Sequence, residues 1–110
     1  MDPAPKPVLA AALDQLWTRF LPQIRERVSI LKSAARSLAA GCLTDPEQEE
    51  AGAAAHKLAG VLGTFNLSHG TDLARQLEVF YSAEGTPDPI FAAQAASLAS
   101  ELHTIVETRG

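Results

Sequence analysis

The stretch Asp45-Pro46-Glu47-Gln48-Glu49-Glu50-Ala51-Gly52-Ala53-Ala54-Ala55-His56-Lys57-Leu58-Ala59-Gly60-Val61-Leu62 reads as one capped, amphipathic helix. Thr44 or Asp45 can supply the capping side chain. Pro46 fits the first helical turn, and Glu47, Glu49 and Glu50 suit the positive end of the helix dipole. With about 100° per residue and His56 set at zero, Leu58, Leu62, Ala51 and Ala55 gather at roughly 200–260°. They form the core face. His56 therefore points outward, away from the interior that this helix helps to build.

The segments flanking this helix have the same character. Leu9, Leu13, Leu16, Trp17 and Phe20 recur at helical spacing and predict a first helix over Val8 to Phe20. Trp17 and Phe20 are most simply core. Pro22 bends or restarts the chain, and a second helix runs to about Ala40, with Ile24, Val28, Leu31, Ala35 and Leu38 as its stripe and Gly41 as its stop. After the Asp45–Leu62 segment, Gly63 to Leu67 form a short turn in which Gly63 supplies the turn geometry. Ser68 can cap a fourth helix that carries Leu73, Leu77 and Phe80 and ends near Ser82. Gly85, Thr86 and Pro87 form a loop. Asp88 and Pro89 start a fifth helix whose stripe is Phe91, Ala95, Leu98, Leu102 and Ile105. Each stripe needs a neighbour, and the connections are short. The expected fold is all-α: an antiparallel four-helix bundle with a short additional N-terminal helix. Residues 1–7, with three prolines, are expected to be a flexible tail, and residues 8–110 to be the bundle domain.

Composition narrows the function classes. Hydrophobic residues make up 46% of 110 residues and aromatics 5%, which suits one alanine- and leucine-rich helical core and argues against a β-sandwich. A net charge of -4 argues against non-specific nucleic-acid binding. The lone Cys42 excludes an internal disulfide and any multi-cysteine zinc site, and His69 and His103 lack partners at ligand spacing, so no metal site is expected. No segment approaches the roughly 18 apolar residues of a membrane span, and the first residues lack a signal-peptide core. The cytoplasm is the expected location.

The outer face around His56 is unusual. Gly52, Ala53, Ala59, Gly60 and Gly63 surround it, with Glu49 at the edge, where a solvated helix normally carries long polar side chains. Gly52 and Gly60 together cost the helix on the order of 1–2 kcal/mol. Close approach of another protein to the imidazole would offset that cost. A solvent-exposed imidazole is mostly neutral at pH 7, and its free nitrogen is a good nucleophile toward phosphorus. Phosphoryl transfer also needs a metal and positioned charges. The chain has no Gly-rich phosphate loop and no compact carboxylate cluster on an exposed face, so both must come from a partner. The pattern suits a carrier and not an autonomous kinase.

The stretch from Ala55 to Leu67 resembles the signature of the histidine-containing phosphotransfer (HPt) family. It has the histidine, a leucine two residues on, a glycine four on, a second glycine seven on, and a leucine closing the turn. The continuation Leu73-Ala74-Arg75-Gln76-Leu77-Glu78 is similar to the family's next element, which ends in a Leu-Glu pair. The resemblance implies that His56 accepts phosphate from a receiver-domain aspartate or a histidine kinase and passes it to a response-regulator receiver domain. It also implies that the receiver docks over the His56 face and brings the magnesium, the chain itself holding no cofactor. Many family members carry a phosphate-holding lysine three residues after the histidine, where this chain has Ala59. Lys57, about 100° round the helix, either replaces it or serves solubility. Asp72, Arg75 and Gln76 are candidate neighbours across the turn. Arg25, Arg27, Lys32 and Arg36 either help dock an acidic receiver surface or form a solvated face. The rival function is a non-catalytic module that binds a receiver without transfer.

Overall fold

The computed structural model describes the backbone of residues 5–109 and the side chains of residues 8–109. It contains four α-helices: α1 (Pro5–Ala39), α2 (Asp45–Thr64), α3 (Ser68–Ser82) and α4 (Ala92–Arg109), with a 3-10 turn at Pro89–Phe91 leading into α4. Each helix packs on the next, and α4 closes back on α1. The all-α bundle is as expected. The N-terminal tail expected over residues 1–7 lies partly outside the described residues, and Pro5 to Pro7 already belong to the first turn of α1.

The separate N-terminal helix is a correction. Val8–Phe20 and Pro22–Ala40 are one 35-residue helix with Pro22 inside it. A mid-helix proline costs about 3 kcal/mol in a peptide, through one lost hydrogen bond and a clash with the preceding turn. Here Pro22 is exposed, so the carbonyl it leaves unpaired can be hydrated. The apolar stripe also keeps register across it: Leu13, Trp17 and Leu21 before, Ile24, Val28 and Leu31 after, all buried or packed against the core. Continuous packing outweighs the local penalty. At 1.5 Å per residue α1 is about 52 Å long, whereas α2 to α4 span about 22–30 Å. The molecule is accordingly 59 Å long and 20 Å wide. The N-terminal part of α1 outruns its neighbours, which leaves Leu9 at 62% and Phe20 at 38% exposure. Phe20 is therefore not core, while Trp17 is, meeting Phe65 edge-on at 5.1 Å with the Arg109 guanidinium over its ring.

The start of α2 is a capping box. Thr44 is the cap: its Oγ1 accepts from the Glu47 backbone N–H at 3.3 Å, and its own N–H donates to Glu47 Oε1 at 2.9 Å. That backbone bond, with the Thr44 hydroxyl behind it, holds the Glu47 carboxyl below the usual carboxylate range. A depressed folded-state value means a contribution to stability that is present above the unfolded carboxyl's titration and lost as pH falls through the folded one. We expect Thr44→Ala to destabilise the domain by about 1 kcal/mol and lower Tm by roughly 4–8 °C, and the difference from wild type to shrink in acid, read by thermal melts at neutral and acidic pH.

At its other end α2 stops in a Schellman motif. The Leu67 N–H donates to the Leu62 carbonyl and the Asn66 N–H to the Gly63 carbonyl, with Asn66 at φ 61°. The left-handed residue is thus Asn66; Gly63 is still helical and does not make the turn. Ser68 does not cap α3 either: it is the first helical residue, and the cap position, Leu67, makes no side-chain capping bond. Asp88 caps as expected, through Ile90 N–H at 3.0 Å, but opens the short 3-10 turn before α4 begins. The buried line of α4 is Ala92, Ala95, Ala99, Leu102 and Val106, with Leu98 and Ile105 partly buried and Phe91 half-exposed.

Candidate functional site

α2 and α3 form a helical hairpin folded about the Phe65–Leu67 turn. Gly52 lies against Ser82, and Gly63 against Thr71. His56 meets Glu78. Each of these pairs is symmetric about position 67, so the hairpin has one register along its length.

His56 projects from the solvent side of α2 with its side chain 73% exposed. Its Nδ1 lies 2.7 Å from Glu78 Oε2 on α3. A carboxylate only accepts, so Nδ1 carries the proton in this pair, and in the neutral ring the lone pair belongs to Nε2. The ring is tethered at one nitrogen and open at the other. The Glu78 side chain is 32% exposed, sitting where the seam between the helices meets solvent. Glu78 was legible only as the last residue of the family-like stretch. Folding the two helices about their turn would have paired it with His56.

The small residues around His56 divide into two groups. Gly60 and Ala53 are exposed, and a Cβ on Gly60 would meet nothing within 4 Å, so this part of the surface is open beside the imidazole. Gly63 is exposed too, though a Cβ there would touch Thr71 Oγ1 at 3.6 Å. Gly52 and Ala59 are corrections to the expected outer ring, because both are buried. A Cβ on Gly52 would lie 3.4 Å from Ser82 Oγ, and the Ala59 carbonyl accepts from Thr71 Oγ1 at 3.3 Å. Their smallness serves the close approach of α3. The buried arc of α2 is wider than expected because α1 and α3 flank it from two sides.

Lys57 is exposed, a third of a turn round from His56. Gln76 is not a neighbour of His56. It lines an apolar groove of about 440 Å³ between α3 and α4 with Val79, Phe80, Ala95 and Leu98. Gln76 sits some 160° from Glu78 on the α3 wheel. Asp72 and Arg75 are exposed. The basic residues of α1 do not converge on His56: Arg25, Lys32 and Arg36 line a groove against α4 with His103 and Glu107. There Arg25 holds Glu107 in a bidentate pair at 2.8 and 2.9 Å, which keeps the Glu107 carboxyl below the usual range. His69 lies 3.4 Å from Glu101. Among the described residues no group of three or more His, Cys, Asp or Glu is placed to hold a metal. No described helix is long and apolar enough to cross a membrane.

Residues 15–108 match the family model described as the Hpt domain. The chain is 35% identical over 97 residues to Protein RcaC of Microchaete diplosiphon, a match that covers 88% of this chain and 15% of that relative. No solved structure matches.

Proposed function

Because the chain belongs to the Hpt domain family, we propose that His56 Nε2 carries a phosphoryl group, taken from a receiver-domain aspartate or a histidine kinase and given to a response-regulator receiver domain. Domains of this family serve phosphotransfer in two-component phosphorelays and are phosphocarriers rather than kinases. The observation that carries the assignment to His56 is the exposed imidazole, whose Nδ1 meets Glu78 and whose Nε2 makes no hydrogen bond among the described residues.

The Nε2 lone pair attacks the phosphorus of the partner's aspartyl phosphate. The P–N bond forms as the P–O bond to the aspartate breaks, and the carboxylate leaves with the bonding electrons. The ring then gains positive charge, which the Glu78 carboxylate beside Nδ1 offsets. Transfer onward reverses these steps. In this reading the partner receiver brings the magnesium that neutralises the transferring group, and the domain works in the cytoplasm beside its partners.

Incubating the protein with a panel of phosphorylated receiver domains tests the proposal. The expected result is acid-labile, base-stable label on this chain. Binding without transfer would establish a receiver-binding module instead, and neither binding nor transfer would overturn both. Releasing the ring should slow the chemistry without weakening docking. We expect Glu78→Ala to lower the transfer rate roughly tenfold, about 1.4 kcal/mol of barrier, with receiver affinity unchanged, and Glu78→Gln to recover only the share that comes from holding the ring, since its neutral amide does not offset the charge. Rapid-quench transfer beside a binding titration separates the two.

A further inference from the structure

We propose that Arg75 on α3 is this chain's own cation for the phosphoryl group on His56. The inference rests on the carrier reading above. A phosphoryl group on Nε2 brings close to two negative charges next to the Glu78 carboxylate. During transfer the partner's metal neutralises it. Once the partner leaves, that charge is left to solvent, counterions and whatever cation this chain supplies.

Few cations are placed to do so. On α2 the positions one turn beyond His56 are Ala59, which is buried, and Gly60, which has no side chain. Lys57 points about 100° away round the helix. On α3 the hairpin register is decisive. Pairs symmetric about position 67 place Arg75 opposite Ala59 and Gly60, one turn along the seam from the His56–Glu78 pair. Arg75 stands about 60° from Glu78 on the α3 wheel, on the side of Thr71, whose hydroxyl already reaches across to the Ala59 carbonyl.

Arg75 is also available. It is exposed, and among the described residues it makes no hydrogen bond or ion pair. Its side chain rests along the edge of the α3–α4 groove beside Gln76 and Val79. Turning from there toward α2 is a rotamer change of an exposed side chain, a picosecond-to-nanosecond event. The way is open, since nothing stands within 4 Å of where a Gly60 side chain would begin. A guanidinium brings a planar fork that binds two phosphate oxygens at once, which an ammonium cannot. The charged groups facing the phosphoryl position are then His56 from α2 and Glu78 and Arg75 from α3, with Lys57 about 100° round α2 and Glu49 two turns away.

The test uses the full chain phosphorylated by phosphoramidate as a small donor, with the phosphohistidine ³¹P signal followed against pH. A guanidinium at the phosphoryl group favours its doubly charged form. In Arg75→Gln the phosphoryl titration should move up by about one pH unit. At equilibrium with a receiver, the share of phosphate on His56 should fall severalfold. Arg75→Lys should recover part of both, and Lys57→Gln should resemble wild type. A titration that is unmoved in Arg75→Gln, or moved by Lys57→Gln in its place, would overturn the inference while leaving the carrier function standing. No phosphohistidine on the wild type, with phosphoramidate or with receivers, would overturn the carrier reading itself.

Discussion

Replacing His56 by glutamine should abolish phosphoryl acceptance and leave the bundle intact. The loss is complete because glutamine keeps the length and polarity of the side chain but offers no nucleophilic nitrogen; the amide lone pair is delocalised into its carbonyl. No other histidine can stand in. His69 lies beside Glu101, and His103 lines the groove between α1 and α4. Neither shares the His56 surface between α2 and α3. The fold should not notice the change, because the His56 side chain is 73% exposed. What it loses is an exposed pair with Glu78, and such pairs contribute about 0–1 kcal/mol. Melting temperature and helical content should therefore match wild type, while label transfer from phosphorylated receivers drops below detection. Binding to the same receivers should persist, since glutamine removes no docking surface. Residual acid-labile label on the variant would move the phosphoacceptor to another residue and sink the assignment.

How far the sequence could be read depended on whether the deciding forces were local. The start of α2 was legible because Thr44, Pro46 and Glu47 form a cap whose partners lie within a few residues. The stop at Gly41 and the cap at Asp88 were legible for the same reason. Pro22 misled because its local penalty is real, and only the register of Trp17, Leu21, Ile24 and Val28 across it showed that packing wins. The turn after α2 misled in a different way. Gly63 reads from the sequence as the source of the turn geometry, but the Schellman bonds place the left-handed residue at Asn66, which tolerates positive φ through its short polar side chain. The site divided along the same line. An outward His56 followed from one helical wheel, but its partner Glu78 is 22 residues away, and Gly52 and Ala59 are small on account of α3 rather than a docking protein. Those relations belong to the hairpin, and one helix taken alone does not contain them.

Gly60 is the position where fold and function should separate most cleanly. It is helical and exposed, and a side chain there would meet nothing within 4 Å. For the isolated domain, glycine is then a liability. Gly60→Ala should stabilise it by about 0.5–1 kcal/mol, by the ordinary helix preference for alanine. Gly60→Trp should also fold, because the indole projects into solvent one turn beyond His56. If His56 carries the phosphoryl group as proposed, a receiver bringing its aspartate to Nε2 covers the open surface at Gly60. An indole there holds the partner off, and a carboxylate held even an ångström from in-line geometry loses much of its rate. Transfer to and from receivers should fall at least about a hundredfold, equivalent to roughly 2.7 kcal/mol. Phosphorylation by phosphoramidate, which needs only a small opening, should change little. This contrast between a large and a small donor makes the experiment decisive. If both donors are slowed alike, the indole has disturbed the imidazole itself. If neither is slowed, receivers reach His56 from another side, and the bare helix surface at Gly60 has no docking role.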